Sequence, residues 1–354
     1  MKKSEGGVAE ASKQQNSGIA KDITKTFGEN IILTGNSIID TNNVIIPVSP
    51  VLDILLNGGI PEGSFVVLTG QPKCGKTTTS LYFAATAQDP KYGHDSFKDG
   101  REVYYLNIEG RLKKRDLQGI PHLNPEKFNV IGSQQGKILH AEEYLQIAEK
   151  LINEVPGSVI IIDSYSALCT EAEITSDMGK MQRADGAKLL AKFCRKVANV
   201  IPVNKNIVIG ITHLMGNPTG YGSEFKEKSG QAIAYQTDIK LRAKHFKPWT
   251  IGSDTTPVGQ EVEWVVMCSA LGAPGATMTS YIRYGVGIDK EAEVVQLATD
   301  FGIIHKAGAW FTLTHLEDKP KFQGAEKVKK YVCENPEVYD HLLKQVKEMM
   351  GVKC

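Results

Sequence analysis

Apolar positions recur in two patterns along this chain, and together they predict alternating strands and helices over most of its length. Short runs that are apolar throughout are typical of strands buried on both faces of a parallel sheet. Four such runs are Phe65–Leu68, Val103–Ile108, Val159–Ile162 and Ile207–Ile211. Between them, residues 144–155 and 187–201 carry apolar positions at helical spacing. This alternation predicts an α/β fold with a mostly parallel central sheet.

The first 48 residues follow a different pattern. Residues 1–18 are rich in Ser, Gln, Gly and Lys, which predicts a disordered tail. Ile19, Ile23 and Phe27 then recur every fourth residue and predict a short helix. Such a helix buries little alone, so we expect it to dock on its own domain or on a neighbouring subunit. The segments 30–32 and 44–48 resemble strands with a polar turn between them.

Two predicted domains follow, a core at residues 49–286 and a smaller C-terminal lobe at residues 287–354. The late strands Val262–Cys268 and Thr279–Tyr284 have no long helix between them, which favours antiparallel extension of the sheet. Beyond Gly287 the chain changes to short, more charged helices, and we expect a small α+β lobe there. Pro336 suits the first turn of its last helix.

Composition narrows the classes of function. The chain has 354 residues, of which 41% are hydrophobic, and 41 Lys and Arg against 40 Asp and Glu leave a net charge of +1. A nucleic-acid role would therefore need a local basic patch. Six scattered cysteines without a C-x-x-C pair argue against zinc or a disulfide framework. With no apolar stretch near ~20 residues and no signal-peptide core, we expect a cytoplasmic protein and no membrane partner.

The stretch after the first core strand carries the strongest chemical signal. It reads Gly70, Gln71, Pro72, Lys73, Cys74, Gly75, Lys76, Thr77, Thr78, which is G-x-x-x-x-G-K-T directly after a predicted strand. The glycines allow successive N–H groups to turn inward around a phosphate. Lys76 would reach the β and γ phosphates, and the Thr77 hydroxyl would ligate Mg²⁺. The sequence therefore predicts a nucleoside triphosphate site.

Three residues at the ends of later strands are candidates for the same site. Asp163 ends an apolar strand and would hold the Mg²⁺ shell, although many strands end in Asp for turn reasons. Glu109 ends the strand after the predicted phosphate loop and would orient and deprotonate an attacking water. His213 would sense the γ phosphate, or it is an ordinary hydrogen-bonding residue.

Two polar stretches, at residues 171–179 and 215–231, are expected to be mobile loops. The second is long for a compact domain and mixes Gly with aromatic residues and lysines, a combination that suits single-stranded nucleic acid. Alternatively, it is a surface lid. Further basic clusters occur at 111–115 and on the helix around Lys192, where a charge stripe is also typical of a solvated face.

These residues resemble the RecA family of homologous-recombination ATPases, which includes the phage UvsX-type recombinases. The resemblance covers about residues 19–350. It is carried by the segments Gly70–Thr78, Ile160–Leu168, Tyr105–Glu109, Lys306–Trp310 and Glu334–Glu337 together with Met178, Gly179 and Arg183. The last two segments are more specific to this family than a phosphate loop alone.

The resemblance implies ATP with Mg²⁺, a helical filament on single-stranded DNA, and pairing with homologous duplex DNA. It implies that residues 19–48 pack on the adjacent subunit. It makes Glu109, Lys76 and His213 the expected catalytic group. The expected DNA contacts are Met178, Gly179, Arg183, Met215, Tyr221, Phe225, Lys226, Lys228 and Gly230. A single-strand-binding protein and a loader are further expected partners.

The chain departs from the bacterial pattern at positions that would shape the ATP site. Cys268 and Ala270 stand where the family carries a lysine pair that reaches across subunits, and Asp116 stands where an aromatic adenine platform is expected. These differences favour a phage-encoded or otherwise divergent member, in which case the location is the host cytoplasm. A regulatory paralogue-type ATPase and a hexameric helicase-type motor without strand exchange remain alternatives.

Overall fold

The computed structural model describes residues 18–28, 31–177, 185–216, 225–227, 233, 236–251 and 255–352. The chain divides into two compact units, Met1–Asn43 and Val44–Cys354. In the first unit, residues 18–27 form helix α1, as the spacing of Ile19, Ile23 and Phe27 predicts. A second helix, α2, covers Gly35–Ile39.

The strand predicted at residues 30–32 is wrong. Ile31 and Ile32 lie in a bend, and residue 30 is outside the described residues. Thr34 caps α2 directly afterwards, because its side chain accepts a hydrogen bond from the backbone N–H of Ser37 at 3.2 Å. This cap satisfies an N–H group of the first helical turn, so the chain turns into a helix at this point.

The second unit contains the predicted alternation of elements. Its strands are β1 (Ile45–Ile46), β2 (Ile60–Pro61), β3 (Phe65–Gly70), β4 (Val103–Asn107), β5 (Phe128–Ile131), β6 (Val159–Asp163), β7 (Ile207–Gly216), β8 (Phe225–Glu227), β9 (Ile239–Trp249), β10 (Gly259–Cys268), β11 (Thr277–Arg283), β12 (Gly287–Ile288), β13 (Ile304–Ala307), β14 (Trp310–Leu313) and β15 (Lys321–Gln323). Its helices are α3 (Pro50–Leu55), α4 (Lys76–Ala87), α5 (Lys114–Gln118), α6 (Ala141–Glu154), α7 (Glu171–Thr175), α8 (Asp185–Val197), α9 (Val200–Val203), α10 (Lys290–Asp300), α11 (Ala325–Glu334) and α12 (Pro336–Met349).

One large sheet organises this unit, with strand order β12-β11-β10-β9-β3-β7-β6-β4-β5. Neighbours from β9 to β5 pair parallel, whereas β9, β10, β11 and β12 pair antiparallel. The predicted α/β class and the antiparallel extension are therefore confirmed. The carboxyl ends of β3, β4, β6 and β7 meet at one edge, where ligands bind in open α/β sheets.

The central strands are buried on both faces, as their continuous apolar runs predict. Every residue of β3 is buried. Val66 and Leu68 belong to the core on the face covered by α4, while Phe65 and Val67 pack with apolar residues of α6 and α8 on the opposite face. The helix predicted to reach residue 201 is shorter than expected, since α8 ends at Val197 and α9 follows it.

Strand β9 has no counterpart among the predicted strands. Its buried apolar residues Ile239, Leu241 and Ala243 alternate with Lys240, Arg242 and Lys244, a period of two that is typical of strands. Pro248 lies in the part of β9 that no longer pairs with β3, because the β3–β9 register ends at the pair Gly70 and Ala243. At this position the missing N–H group of Pro248 disrupts fewer hydrogen bonds between strands than it would in the part of β9 that pairs with β3.

The C-terminal lobe contains the antiparallel sheet β13-β14-β15 with helices α10, α11 and α12, which confirms the predicted α+β lobe. Asp289 caps α10 and also ties the lobe to the main sheet. Its Oδ2 lies 2.9 Å from Nε of Arg283 on β11 and 2.5 Å from Nζ of Lys329 on α11. Within the described ranges, no helix is both long and apolar enough to cross a membrane.

Candidate functional site

The turn between β3 and α4 has the conformation expected of a phosphate-binding loop. Gly75, with φ of 85°, is the residue before α4, and a Cβ placed there would lie 2.2 Å from the side chain of Ile282. Lys73 also adopts a positive φ of 63°. Alternating backbone conformations of this kind turn N–H groups toward a common centre and favour anion binding.

Lys76 places its ammonium group inside this loop. The side chain is buried, and Nζ donates to the carbonyl oxygens of Gly70 at 3.1 Å and Gln71 at 2.7 Å. The positive N-terminal end of α4 lies at the same point. A buried ammonium held by neutral carbonyls, next to a helix N-terminus, is an arrangement that suits a phosphate.

Asp163, at the end of β6, lies beside the first turn of α4. Its Oδ2 accepts hydrogen bonds from the Thr77 hydroxyl at 2.8 Å and from the Tyr105 hydroxyl at 2.5 Å. Burial raises the pKa of Asp163, and the hydrogen bonds from Tyr105 and Thr77 offset this rise only in part. A hydroxyl and a carboxylate are the hard oxygen donors that Mg²⁺ prefers, so Thr77 and Asp163 fit the predicted metal.

Glu109 and His213 meet at the same edge of the sheet. Nε2 of His213 lies 2.5 Å from Oε1 of Glu109, and the Ser164 hydroxyl donates to that oxygen at 2.7 Å. Arg111 approaches the other oxygen at 3.6 Å. The hydrogen bond from His213 is the main reason that the pKa of Glu109 falls to about 2. Glu109 is therefore an oriented, ionised carboxylate.

A cleft of about 840 Å³ contains these residues. Its lining includes Pro72, Lys73, Cys74, Gly75, Lys76, Thr77, Thr78, Tyr105, Glu109, Asp163 and His213. The predicted catalytic and phosphate-loop residues thus share one cleft, with the exceptions of Gly70 and Gln71, whose carbonyl oxygens bind Lys76 instead.

The opposite wall of the cleft comes from residues that the sequence patterns did not single out. Gln260 and Ile282 lie near Gly75, and Tyr284 offers a side chain that is 57% exposed. Asp116, the position at which an aromatic residue was expected, also lines the cleft. Tyr284 directly follows β11 and is distant in sequence from the phosphate loop.

The loop predicted at 171–179 begins with a helix, so that part of the prediction is wrong. In α7, the backbone N–H of Thr170 donates to Glu173 at 2.7 Å and the Thr170 hydroxyl accepts from the N–H of Glu173 at 3.3 Å. This reciprocal cap starts a helix from a short polar sequence. The candidate DNA contacts Met178, Gly179 and Arg183 lie outside the described residues.

The second predicted loop is partly a β-hairpin. Leu214 to Gly216 extend β7, and they pair antiparallel with β8, with Met215 opposite Lys226 and Gly216 opposite Phe225. Met215 is 49% exposed. The candidates Tyr221, Lys228 and Gly230 lie outside the described residues. Because β7 also carries His213, the strand leads from the cleft directly into this candidate DNA segment.

The basic residues of α8 are exposed, which is typical of a helix face that contacts solvent; they are Lys188, Lys192, Arg195 and Lys196. Lys196 forms an ion pair with Glu149 on α6, so part of this charge is used within the chain. Cys268 and Ala270, at the positions of the expected lysine pair, are not among the cleft-lining residues of this chain. Cys268 instead contacts the carbonyl oxygen of Thr237 at 3.7 Å.

Comparison with known proteins finds similarity to RecA proteins over nearly the whole chain. Residues 14–289 match the RecA N-terminal domain and residues 292–351 match the RecA C-terminal domain. Protein RecA of Streptococcus gordonii is 30% identical over 342 residues, which cover 94% of this chain and 83% of the relative. Protein RecA of Campylobacter jejuni subsp. doylei is 28% identical over 337 residues, covering 94% and 92%. This chain belongs to the RecA family.

Proposed function

We propose that this protein is an ATP-dependent DNA recombinase. It binds ATP in the cleft, assembles as a helical filament on single-stranded DNA, and promotes pairing and strand exchange with homologous duplex DNA. The contact between Glu109 and His213 carries this proposal, because it joins the acid in the cleft to the strand that enters the candidate DNA segment. Membership of the RecA family supports it.

ATP binding rests on the loop before α4. Its N–H groups and Lys76 bind the phosphates, and Tyr284 offers an aromatic face to the base. Thr77 and Asp163 would hold Mg²⁺, which when bound neutralises charge on the phosphates.

Hydrolysis rests on Glu109. An ionised carboxylate accepts a proton from water as the water oxygen bonds to the γ phosphorus and the bond to the bridging oxygen of ADP breaks. His213 and Ser164 hold the carboxylate in one orientation. A fixed base lowers the cost of arranging the water before reaction.

DNA binding would use the segment that follows His213. Exposed Met215 and the residues Tyr221, Phe225, Lys226, Lys228 and Gly230 supply apolar groups for bases and charges for phosphates. Met178, Gly179 and Arg183 form the second part of the proposed contact. When His213 moves between Glu109 and a bound phosphate, β7 transmits the change to this segment, so that DNA affinity depends on the nucleotide.

The remaining assignments are proposals of the same kind. Residues 19–48 would pack on an adjacent subunit, residues 49–286 would be the ATPase core, and residues 287–354 the C-terminal lobe. A single-strand-binding protein and a loader would act on the filament. The proposed compartment is the cytoplasm.

ATP turnover by the purified protein, measured with and without single-stranded DNA over a salt series, tests the proposal. We expect DNA to stimulate turnover, and the stimulation to weaken steeply as salt rises, because phosphate contacts release counterions. Turnover that ignores DNA contradicts the coupling. Strand-exchange assays then separate a recombinase from a regulatory ATPase, and closed rings in electron micrographs would favour a helicase-type motor.

A further inference from the structure

Strand β4 carries two consecutive tyrosines whose hydroxyl groups have different partners. The Tyr104 hydroxyl donates to the carboxylate of Glu102, the residue before β4, at 2.7 Å. The Tyr105 hydroxyl instead crosses to the neighbouring strand β6 and donates to Oδ2 of Asp163 at 2.5 Å. Successive side chains of a strand point to opposite faces, so only one of the two reaches the cleft.

The ring of Tyr105 is held firmly. It is 1% exposed, and it packs against Phe128 with 5.8 Å between ring centroids. A phenol placed this way has little freedom to reorient, so its hydroxyl is a fixed donor at the end of β6.

Two hydroxyl donors therefore reach the same oxygen of Asp163 from two different elements. Thr77 on α4 donates to Oδ2 at 2.8 Å, and Tyr105 on β4 donates to it at 2.5 Å. Among the described residues, no side chain or backbone group is hydrogen-bonded to Oδ1 of Asp163. Two donors on one oxygen fix the plane of a carboxylate, which otherwise turns about its terminal bond.

We propose that Tyr105 is a positioning residue for the nucleotide site, whose hydroxyl orients the carboxylate of Asp163 so that one oxygen stays available to the cation that accompanies ATP. The proposal rests on the proposed ATP binding. Loss of a partner that orients a metal-binding side chain typically lowers metal affinity by about 10–100-fold. The competing explanation is that Asp163 only satisfies a buried phenol, which would contribute to stability alone.

Tyr105→Phe tests this, because it removes one oxygen atom and keeps the ring that packs on Phe128. Tyr104→Phe is the matched control, since it also removes from β4 a tyrosine hydroxyl that donates to a carboxylate, that of Glu102. For the wild type and both variants, we would measure binding of a fluorescent ATP analogue across a Mg²⁺ titration and in EDTA. The thermal midpoint without ligand and the ATPase rate complete the set.

We expect Tyr105→Phe to need about tenfold more Mg²⁺ for half-maximal analogue binding, the lower end of the usual loss for such partners. Binding in EDTA should stay within about twofold of the wild type, and Tyr104→Phe should match the wild type throughout. An unchanged Mg²⁺ midpoint in Tyr105→Phe, with only a lower thermal midpoint, would overturn the positioning role. If the wild type itself shows no Mg²⁺-dependent nucleotide binding, the proposed function fails and this inference fails with it.

Discussion

Nε2 of His213 lies 2.5 Å from Oε1 of Glu109, although the two residues are 104 positions apart. His213 lies within β7, and Glu109 follows β4. In the sheet, β6 separates their strands, and Ser164, the residue after β6, donates to the same carboxylate oxygen. The ends of three neighbouring strands therefore converge on one acid. A displacement of His213 changes the surroundings of Glu109 directly.

Replacing His213 by Ala should uncouple ATP turnover from DNA. The substitution removes a hydrogen bond that holds the carboxylate of Glu109 in one orientation, and a hydrogen bond to a charged group contributes about 1.5–3 kcal/mol. We expect DNA-stimulated turnover to fall by about tenfold or more, while ATP affinity changes little. Steady-state ATPase rates and nucleotide binding, measured with and without single-stranded DNA, check this.

His305→Ala is the control for that experiment, because His305 is exposed on β13 in the C-terminal lobe. It should behave as the wild type. If His213→Ala keeps full DNA stimulation, His213 is an ordinary hydrogen-bonding residue of β7 and the sensor role is wrong.

Replacing Tyr284 by Ala should weaken the binding of ATP but not of inorganic tripolyphosphate. Tyr284 is 57% exposed on the wall of the cleft, and stacking of a base on an aromatic ring contributes about 1–3 kcal/mol. We expect ATP affinity to fall by about tenfold or more. Competition of each ligand against a fluorescent ATP analogue measures both affinities. Equal losses for both ligands would show that Tyr284 supports the cleft and not the base.

Two buried carboxyl groups at the junction of the core and the lobe should make stability depend on pH. Burial raises the pKa of Asp53 to about 7, and nearby Lys347 at 3.8 Å offsets this only in part. Burial also raises the pKa of Glu293 to about 7. Between the unfolded pKa values near 4 and the folded values near 7, the folded protein keeps protons that the unfolded chain releases. Stability therefore falls as pH rises through this window.

Asp53→Asn should flatten that dependence. Each carboxyl group contributes up to about 1.4 kcal/mol per pH unit to the slope of the unfolding free energy against pH. Removing one of the two groups should therefore roughly halve the part of the slope that they cause. Asn keeps the oxygen that accepts the backbone N–H of Val48 at 2.7 Å. Denaturant unfolding at several pH values between 4 and 8 measures the slope. An unchanged slope in Asp53→Asn would show that this carboxyl is ionised throughout.

The phosphate loop and the parallel strands could be predicted from the sequence because their signals are local. Asp163 directly follows the apolar run of β6, and His213 comes shortly after that of β7. The ends of adjacent parallel strands meet at one edge of a sheet. Glu109 follows β4 for the same reason. The contact between His213 and Glu109 was not predicted, since it depends on the strand order and on the register of β7 against β6.

Other parts of the site depend on packing that no short sequence pattern records. The sequence pattern places Tyr105 only in the strand before Glu109. Its hydroxyl reaches Asp163 because Asn107 and Asp163 pair across β4 and β6. Tyr284 reaches the cleft because β10 and β11 extend the sheet antiparallel beyond β9. The helix at α7 was missed because a single cap at Thr170, and not apolar periodicity, starts it.

The ATPase rates of the wild type and of Glu109→Gln, each with and without single-stranded DNA, test the central claim most directly. We expect DNA to stimulate the wild type, and we expect Glu109→Gln to bind ATP and DNA but to lose about 100-fold or more of its turnover. Wild-type turnover that is indifferent to DNA, or unimpaired hydrolysis by Glu109→Gln, would contradict it.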